Sequence, residues 1–137
     1  MKRVLALDVG TKTIGVALSD AGARFAQPLV TLSRKGVGKD AAVIARLITE
    51  HSVKVVVVGL PLELDGSEER SARLARQIGE ALAENSKLTV VYVDERYSSV
   101  EAERKLIEMN VSRRKRKTII DQVAAMIILE TYFSERD

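Results

Sequence analysis

The chain has 137 residues, 46% of them hydrophobic and 30% charged, with 22 basic against 19 acidic side chains and no cysteine. That length suits one domain spanning 1–137 with a real core, and the missing cysteines exclude disulfides and thiolate metal sites. No apolar run reaches the ~20 residues of a membrane span and no signal-peptide pattern opens the chain, so the expectation is a cytoplasmic protein without a membrane partner, whose net charge of +3 matters through its distribution.

Residues 2–8 and 13–19 read as two strands joined by a turn at Gly10–Lys12, short enough for an antiparallel hairpin. Pro28–Leu32 forms a third short strand after a turn at Ala21-Gly22, and Gly36 and Gly38 then break the chain. Asp40–His51 carries Ala41, Ile44, Ala45 and Ile48 at helical spacing. "VKVVVVG" (Val53–Gly59) is continuously apolar and β-branched, as in a strand buried on both faces. Ser67 is a plausible N-cap for the next helix, with Glu68 and Glu69 in the dipole-favoured first turn and Leu74, Ile78, Ala81 and Leu82 as its buried stripe. "LTVVYV" (Leu88–Val93) is another buried strand. Ser98 and Glu101 form a capping box for a further helix. In the last helix Ile120, Val123, Ala124, Ile127, Ile128 and Thr131 share one face, with Thr118 as N-cap. The order β-β-β-α-β-α-β-α-α predicts an α/β fold: a five-stranded mixed sheet, an antiparallel three-strand meander plus two parallel strands, with helices on both faces.

Three acidic positions stand apart from the solvated charges. Asp8 closes the first strand, Asp94 and Glu95 close the last, and Asp121 lies inside the apolar run "TIIDQVAAMIILE". Ligands of open α/β sheets gather at the carboxyl ends of the strands, where Asp8 and the Asp94-Glu95 pair both fall. Asp121 joins them if the last helix lays its N-terminus across that edge. Converging carboxylates repel unless a cation binds, and an all-oxygen set is what Mg²⁺ or Mn²⁺ prefers. Each acid also has a plainer role: Asp8 capping the turn at Gly10, Asp94 opening a turn, Asp121 at the N3 position of its helix, where an acid adds about 0.3–1 kcal/mol. Gly10 itself suits a close backbone approach or a positive φ.

"LDVGTKTIGVALSD", "VVVVGLPLELDGS", "VDERYSS" and "KTIIDQVAAMIILETYF" together resemble the YqgF family, also called RuvX, whose members are RNase H-like relatives of Holliday-junction resolvases and are regarded as nucleases of pre-16S rRNA. The resemblance runs over essentially the whole chain, with the four motifs in the family's order and spacing. It implies an RNase H-like fold, a metal site formed by Asp8, the acids of "DER" and Asp121, and trimming of the 5′ side of the 16S rRNA precursor. "DERYSS" has Tyr97 and two serines where the family more often has Leu and a Ser/Thr-Thr pair. RuvC-type resolvases, as the wider superfamily implies, take their second carboxylate from the strand beside the first; here that strand runs into "GLPLELDG", with no acid before Glu63. Alternation puts Val91, Val93 and Glu95 on one face of the last strand and Tyr92 and Asp94 on the other, so the second ligand is expected to be Glu95, then Asp94, then Glu63.

Two divalent ions about 3.5–4 Å apart, bridged by Asp8, would clamp a scissile phosphate, giving a 5′-phosphate and a 3′-hydroxyl. Lys12, in the turn beside Asp8, is either solvated or a phosphate contact. "RRKRK" (Arg113, Arg114, Lys115, Arg116 and Lys117) is expected to bind phosphates just before the Asp121 helix, with Arg96, Arg73 and Arg76 extending it. Two Phe and three Tyr are too few and scattered for a stacking platform, which favours recognition of backbone and shape. His51, the only histidine, is expected to be structural. The partner is therefore a nucleic acid, RNA or branched DNA.

Three rivals remain in the sequence. The opening motif also resembles the phosphate-binding entry of actin-type and sugar-kinase ATPases, but those close two lobes around ATP and this length supplies one. A catalytically idle nucleic-acid-binding assembly factor would gain nothing from carboxylates facing phosphates. A DNA junction resolvase would act as a homodimer to cut symmetrically; the Met126–Phe133 segment could supply that surface or belong to the core.

Overall fold

The computed structural model describes residues 3–60, 70–95 and 104–136, without the side chains at 117 and 118. Strands β1 (Arg3–Val9), β2 (Thr13–Ser19) and β3 (Ala26–Ser33) are followed by helix α1 (Val37–Glu50), strand β4 (Val53–Leu60), helix α2 (Arg70–Ala83) and strand β5 (Thr89–Asp94). A helical stretch, α3, covers residues 104–108, and α4 (Arg113–Arg136) completes the described chain. The sheet order is β3-β2-β1-β4-β5. β2 is antiparallel to both β1 and β3, while β4 is parallel to both β1 and β5, as the hydrophobic patterning predicts.

The alternation of β1 assigns the two faces. Leu5, Leu7 and Val9 pack on one side with Ile44 and Ile48 of α1 and Ala75, Ile78 and Leu82 of α2. Val4 and Ala6 point the other way, against Ala125, Ile128, Leu129 and Phe133 of α4. β4 is buried on both faces, Val56 and Val58 on the α1/α2 side and Val57 on the α4 side. The Met126–Phe133 segment thus puts Ile127, Ile128, Leu129 and Phe133 into the interior rather than onto a dimer surface. Among the described residues no helix is long and apolar enough to cross a membrane.

Several boundaries differ from the sequence reading. β3 extends two residues earlier and one later than Pro28–Leu32. α1 begins at Val37 and includes Gly38; the break comes at Gly36, which has φ 120° at the N-cap, a conformation that favours glycine. Ala45 faces solvent, and Leu47 packs against the core instead. Gly10 has no positive φ; a Cβ there would come within 3.1 Å of the Thr13 carbonyl oxygen, so close approach is its reason. His51 caps α1 with its N–H on the Leu47 carbonyl. Ser67, Ser98 and Glu101 lie outside the described residues.

The largest difference concerns α4. It starts at Arg113, not near Thr118. Ser112 serves as its cap: the hydroxyl accepts the Lys115 N–H at 3.3 Å and the carbonyl accepts the Arg116 N–H at 2.9 Å. The helix forms despite five cations at the positive end of its dipole, because the Ser112 cap favours its start and its apolar face further along packs against the sheet. Asp121 consequently lies two turns inside the helix, and the basic run is helical.

Candidate active site

Asp8 sits at the second-last position of β1, on the face that α4 covers, paired in register with Gly15 of β2. α4 crosses β2 at that point. A Cβ on Gly15 would collide with the backbone oxygen and carbon of Asp121 and with its Cβ. Only the missing side chain lets the helix backbone come this close, and the closeness sets Asp121 beside Asp8. Thr13, two residues earlier in β2, donates its hydroxyl to Asp121 Oδ2 at 2.6 Å, a short bond to a carboxylate oxygen. Gln122 Nε2 donates to Thr31 Oγ1 at 3.1 Å and pins the next residue of α4 to β3.

Glu95 follows the last residue of β5, and its N–H still donates to the Leu60 carbonyl at 2.9 Å, prolonging the parallel ladder. Alternation carries it to the face of Val93, which packs under α4. Glu95 is 8% exposed, its Cγ next to Gly59, whereas Asp94 is exposed. Burial, and then the charges of Asp121 and Glu95, push the Asp8 carboxyl from its ordinary 3.8 up to about 7. Three acids from β1, the end of β5 and α4 therefore share one electrostatic neighbourhood at the carboxyl edge of the sheet. Among the described residues no three acids or imidazoles already close into a cage around an ion. As a donor set they are oxygen-only, with a repulsion that a divalent cation would offset.

Arg34, just after β3, fixes the turn that follows Asp8. Its Nε donates to Asp40 Oδ2 at 2.7 Å and its Nη1 to the Gly10 carbonyl at 2.8 Å, while its backbone N–H donates to the Lys12 carbonyl at 2.9 Å. Burial pushes the Asp40 carboxyl up, but the hydrogen bonds from Arg34 and the Lys35 N–H, with the Arg34 charge, hold it below the usual carboxylate range. Lys12 is thereby exposed on a fastened turn beside Asp8.

Phe133 and Tyr132 of α4 pack by Val4 and Ala23, at the opposite end of the sheet from Asp8. The helix therefore runs down the sheet from the carboxyl edge. The helical turns ahead of its crossing at Gly15 lie toward that edge and form an overhang at the helix N-terminus. Arg113, Arg114 and Lys115 are exposed on the overhang; Arg116 is half-buried and donates Nη1 to the Val111 carbonyl at 2.9 Å. Arg76 does not extend this surface: it stacks at 5.1 Å over Tyr92, on the side of the sheet that α2 covers, and Arg73 belongs to the same helix. Arg96, Glu63 and the side chain of Lys117 lie outside the described residues.

Thr13, Gly15, Gly59 and Arg34 escape the sequence reading. A signal for the first two exists: Thr13, Gly15 and Ala17 put small residues at every second place of β2, which marks a face approached closely by a helix. Arg34 carries no local signal, because its partners lie on three separate elements.

Comparison with known proteins agrees with this architecture. A family model described as "RuvX: Holliday junction resolvase" matches residues 2–135. A Myxococcus xanthus protein named "Putative pre-16S rRNA nuclease" is 47% identical over 128 residues, covering 93% of this chain and 85% of its own. One of the same name from Caldanaerobacter subterraneus subsp. tengcongensis is 44% identical over 135 residues, covering 98% and 97%. Among solved structures, Thermus thermophilus RuvC aligns with a TM-score of 0.60 at 13% identity, covering 98% of this chain and 96% of that one. Fowlpox virus resolvase, solved with Holliday junction DNA, gives 0.60 at 14% identity and 98% coverage of both.

An RNase H-like sheet with this carboxyl edge, in a chain so close to nuclease-named relatives, defines a phosphodiester-hydrolysing nuclease. More particularly, the chain belongs to the RuvX family.

Proposed function

We propose that this chain cleaves phosphodiester bonds of the 16S rRNA precursor on its 5′ side, with Asp8, Glu95 and Asp121 as the carboxylates that hold two Mg²⁺ or Mn²⁺ ions. The observation that carries the reading is a buried Asp8 within electrostatic reach of Asp121 and Glu95: burial first, and then those two charges, push its carboxyl up to about 7. When bound, such ions supply an activated water and charge stabilisation of the leaving 3′-oxygen. The chain's own groups do the positioning. Asp8, at a strand end locked between β2 and β4, offers a fixed carboxylate. Thr13 orients Asp121 through its hydroxyl. Lys12 is placed to meet a phosphate oxygen, and Arg113, Arg114 and Lys115 line the overhang along which a backbone would pass. The relatives' name supports rRNA as substrate; the family description makes the four-way DNA junction the rival substrate. Incubating the purified protein with precursor rRNA, single strands and four-way junctions in each metal tests the reading. Cleavage of the precursor at its 5′ side is expected, and cleavage of junctions alone would replace it with resolution.

Two further outcomes are expected. Glu95→Gln should remove metal-dependent cleavage while Asp94→Asn loses much less, because Glu95 is buried beside Asp8 and Asp94 faces outward; kinetics of the two variants under one set of conditions decide, and the reverse ranking would assign the ligand to Asp94. Changing Arg113, Arg114 and Lys115 together to alanine should weaken binding of every sequence alike, since phosphate contacts carry no base information. The slope of log affinity against log salt should become shallower by roughly 2–3, at about 0.7–0.9 per lost contact. The Tm should hold or rise slightly, because cations at a helix N-terminus oppose its dipole. An unchanged slope would assign these side chains to solvent.

A further inference from the structure

Two of the three large apolar side chains left exposed among the described residues fall at the end of α3, one on either flank of the buried Leu106. Met109 is 71% exposed and Ile107 51%. The backbone that presents them is well defined. Asn110 adopts φ 57°, the Val111 N–H donates to the Leu106 carbonyl at 2.9 Å, and the Asn110 N–H donates to the Ile107 carbonyl at 3.0 Å. This left-handed C-cap ends α3 sharply while Leu106, 3% exposed, anchors it. Packing of the fold does not require a thioether pointing outward here.

The surroundings select the occupant. Between residues 104 and 116 the sequence has six cations (Arg104, Lys105, Arg113, Arg114, Lys115 and Arg116) and one acid, Glu108. Lys105 already pairs with Glu130 of α4 at 3.9 Å, and the stretch that remains is net positive, which disfavours a second copy of itself and attracts a polyanion. Met109 is four residues from Arg113, so at most about 14 Å of chain separates it from the overhang. Apolar side chains flanked by cations wedge against bases and unstack them, and a thioether also contacts aromatic edges favourably.

Resting on the nuclease reading above, we propose that Met109 packs against an unstacked nucleobase of the bound strand, so that the α3–α4 turn recognises single-stranded or branch-point bases while the basic overhang holds the backbone. The surface then reads loss of stacking, not sequence.

Met109→Ala and Ile107→Ala, singly and together, test this against Phe25→Ala, which is 70% exposed at the opposite end of the sheet. The probes are a uniform duplex and an oligonucleotide of equal length with a single-strand/duplex boundary carrying 2-aminopurine. Wild type should bind the boundary probe with a rise in fluorescence. The double variant should lose that rise and about 10-fold in affinity, within the range measured for one stacked base, while duplex affinity, salt slope and Tm stay unchanged. Phe25→Ala should match wild type. Equal affinity and fluorescence in all variants would overturn the proposal, as would an equal loss in Phe25→Ala or a change of oligomeric state on mutating Met109. Failure of wild type to bind either probe would overturn the nuclease reading itself, and this inference with it.

Discussion

Asp8→Asn should reduce metal-dependent cleavage by at least ~100-fold, since it removes one of the carboxylates proposed to hold the ions. The same substitution should leave the fold intact and stabilise the ion-free protein. The sign follows from the proton balance. The Asp8 carboxyl is raised from 3.8 to about 7, first by burial and then by the charges of Asp121 and Glu95, so the folded state binds its proton more tightly than the unfolded state. Its contribution to stability is fully present below about pH 4 and is lost as pH rises through about 7. Asparagine cannot ionise and escapes that loss. The Tm of Asp8→Asn should therefore exceed that of wild type at pH 8 by several degrees, with a smaller difference at pH 5. Adding Mg²⁺ or Mn²⁺ should raise the wild-type Tm and leave the variant nearly unmoved. Full activity in the variant, from preparations free of contaminating nuclease, would remove Asp8 from the site.

Gly15→Ala should be as damaging, for a different reason. The new methyl would overlap the backbone of Asp121. Neither neighbour can yield cheaply: β2 is hydrogen-bonded on both sides, and α4 is held by Gln122 on Thr31 and by Ile128, Leu129 and Phe133 in the core. Overpacking of this kind costs about 1–3 kcal/mol or more, and relieving it lifts Asp121 away from Asp8 and from the Thr13 hydroxyl. Both the Tm and the cleavage rate should fall. Gly38→Ala is the control, because nothing lies within 4 Å of the position its Cβ would take; in the first turn of α1 it should be neutral or stabilising by up to about 1 kcal/mol. A Gly15→Ala protein with wild-type Tm and activity would show that α4 can shift without consequence.

The roles proposed for Met109 and for the basic overhang can be separated by their variants. Loss of phosphate contacts changes the salt slope, whereas loss of an apolar contact changes affinity at constant slope.

Much of the fold is legible in the sequence because it depends on local periodicity. The apolar run of β4 and the short hairpin between β1 and β2 are each carried by neighbouring residues, and the mixed sheet follows from their order. The preference for Glu95 over Asp94 likewise rests on strand alternation, which persists one residue beyond β5. The start of α4 was not legible in this way. A run of five cations reads as a phosphate-binding stretch ahead of the helix rather than as its first turns, and the Ser112 cap is one weak signal against strong charge.

The sequence by itself determined the strands and the presence of α1, α2 and α4, which follow from the spacing of apolar residues along one element. The buried stripes it marked hold only in part, since Ala45 faces solvent and α4 meets the sheet through Ala125, Ile128, Leu129 and Phe133, of which only Ile128 belongs to the expected face. Only the tertiary structure decided which acids meet. Asp8, Glu95 and Asp121 are joined by the approach of α4 to Gly15 and by the parallel placement of β5 beyond β4. The Arg34 pair with Asp40 and the overhang of α4 past the sheet edge are of the same kind. Contacts between residues distant in the chain depend on how whole faces pack, and no single stretch of sequence records that.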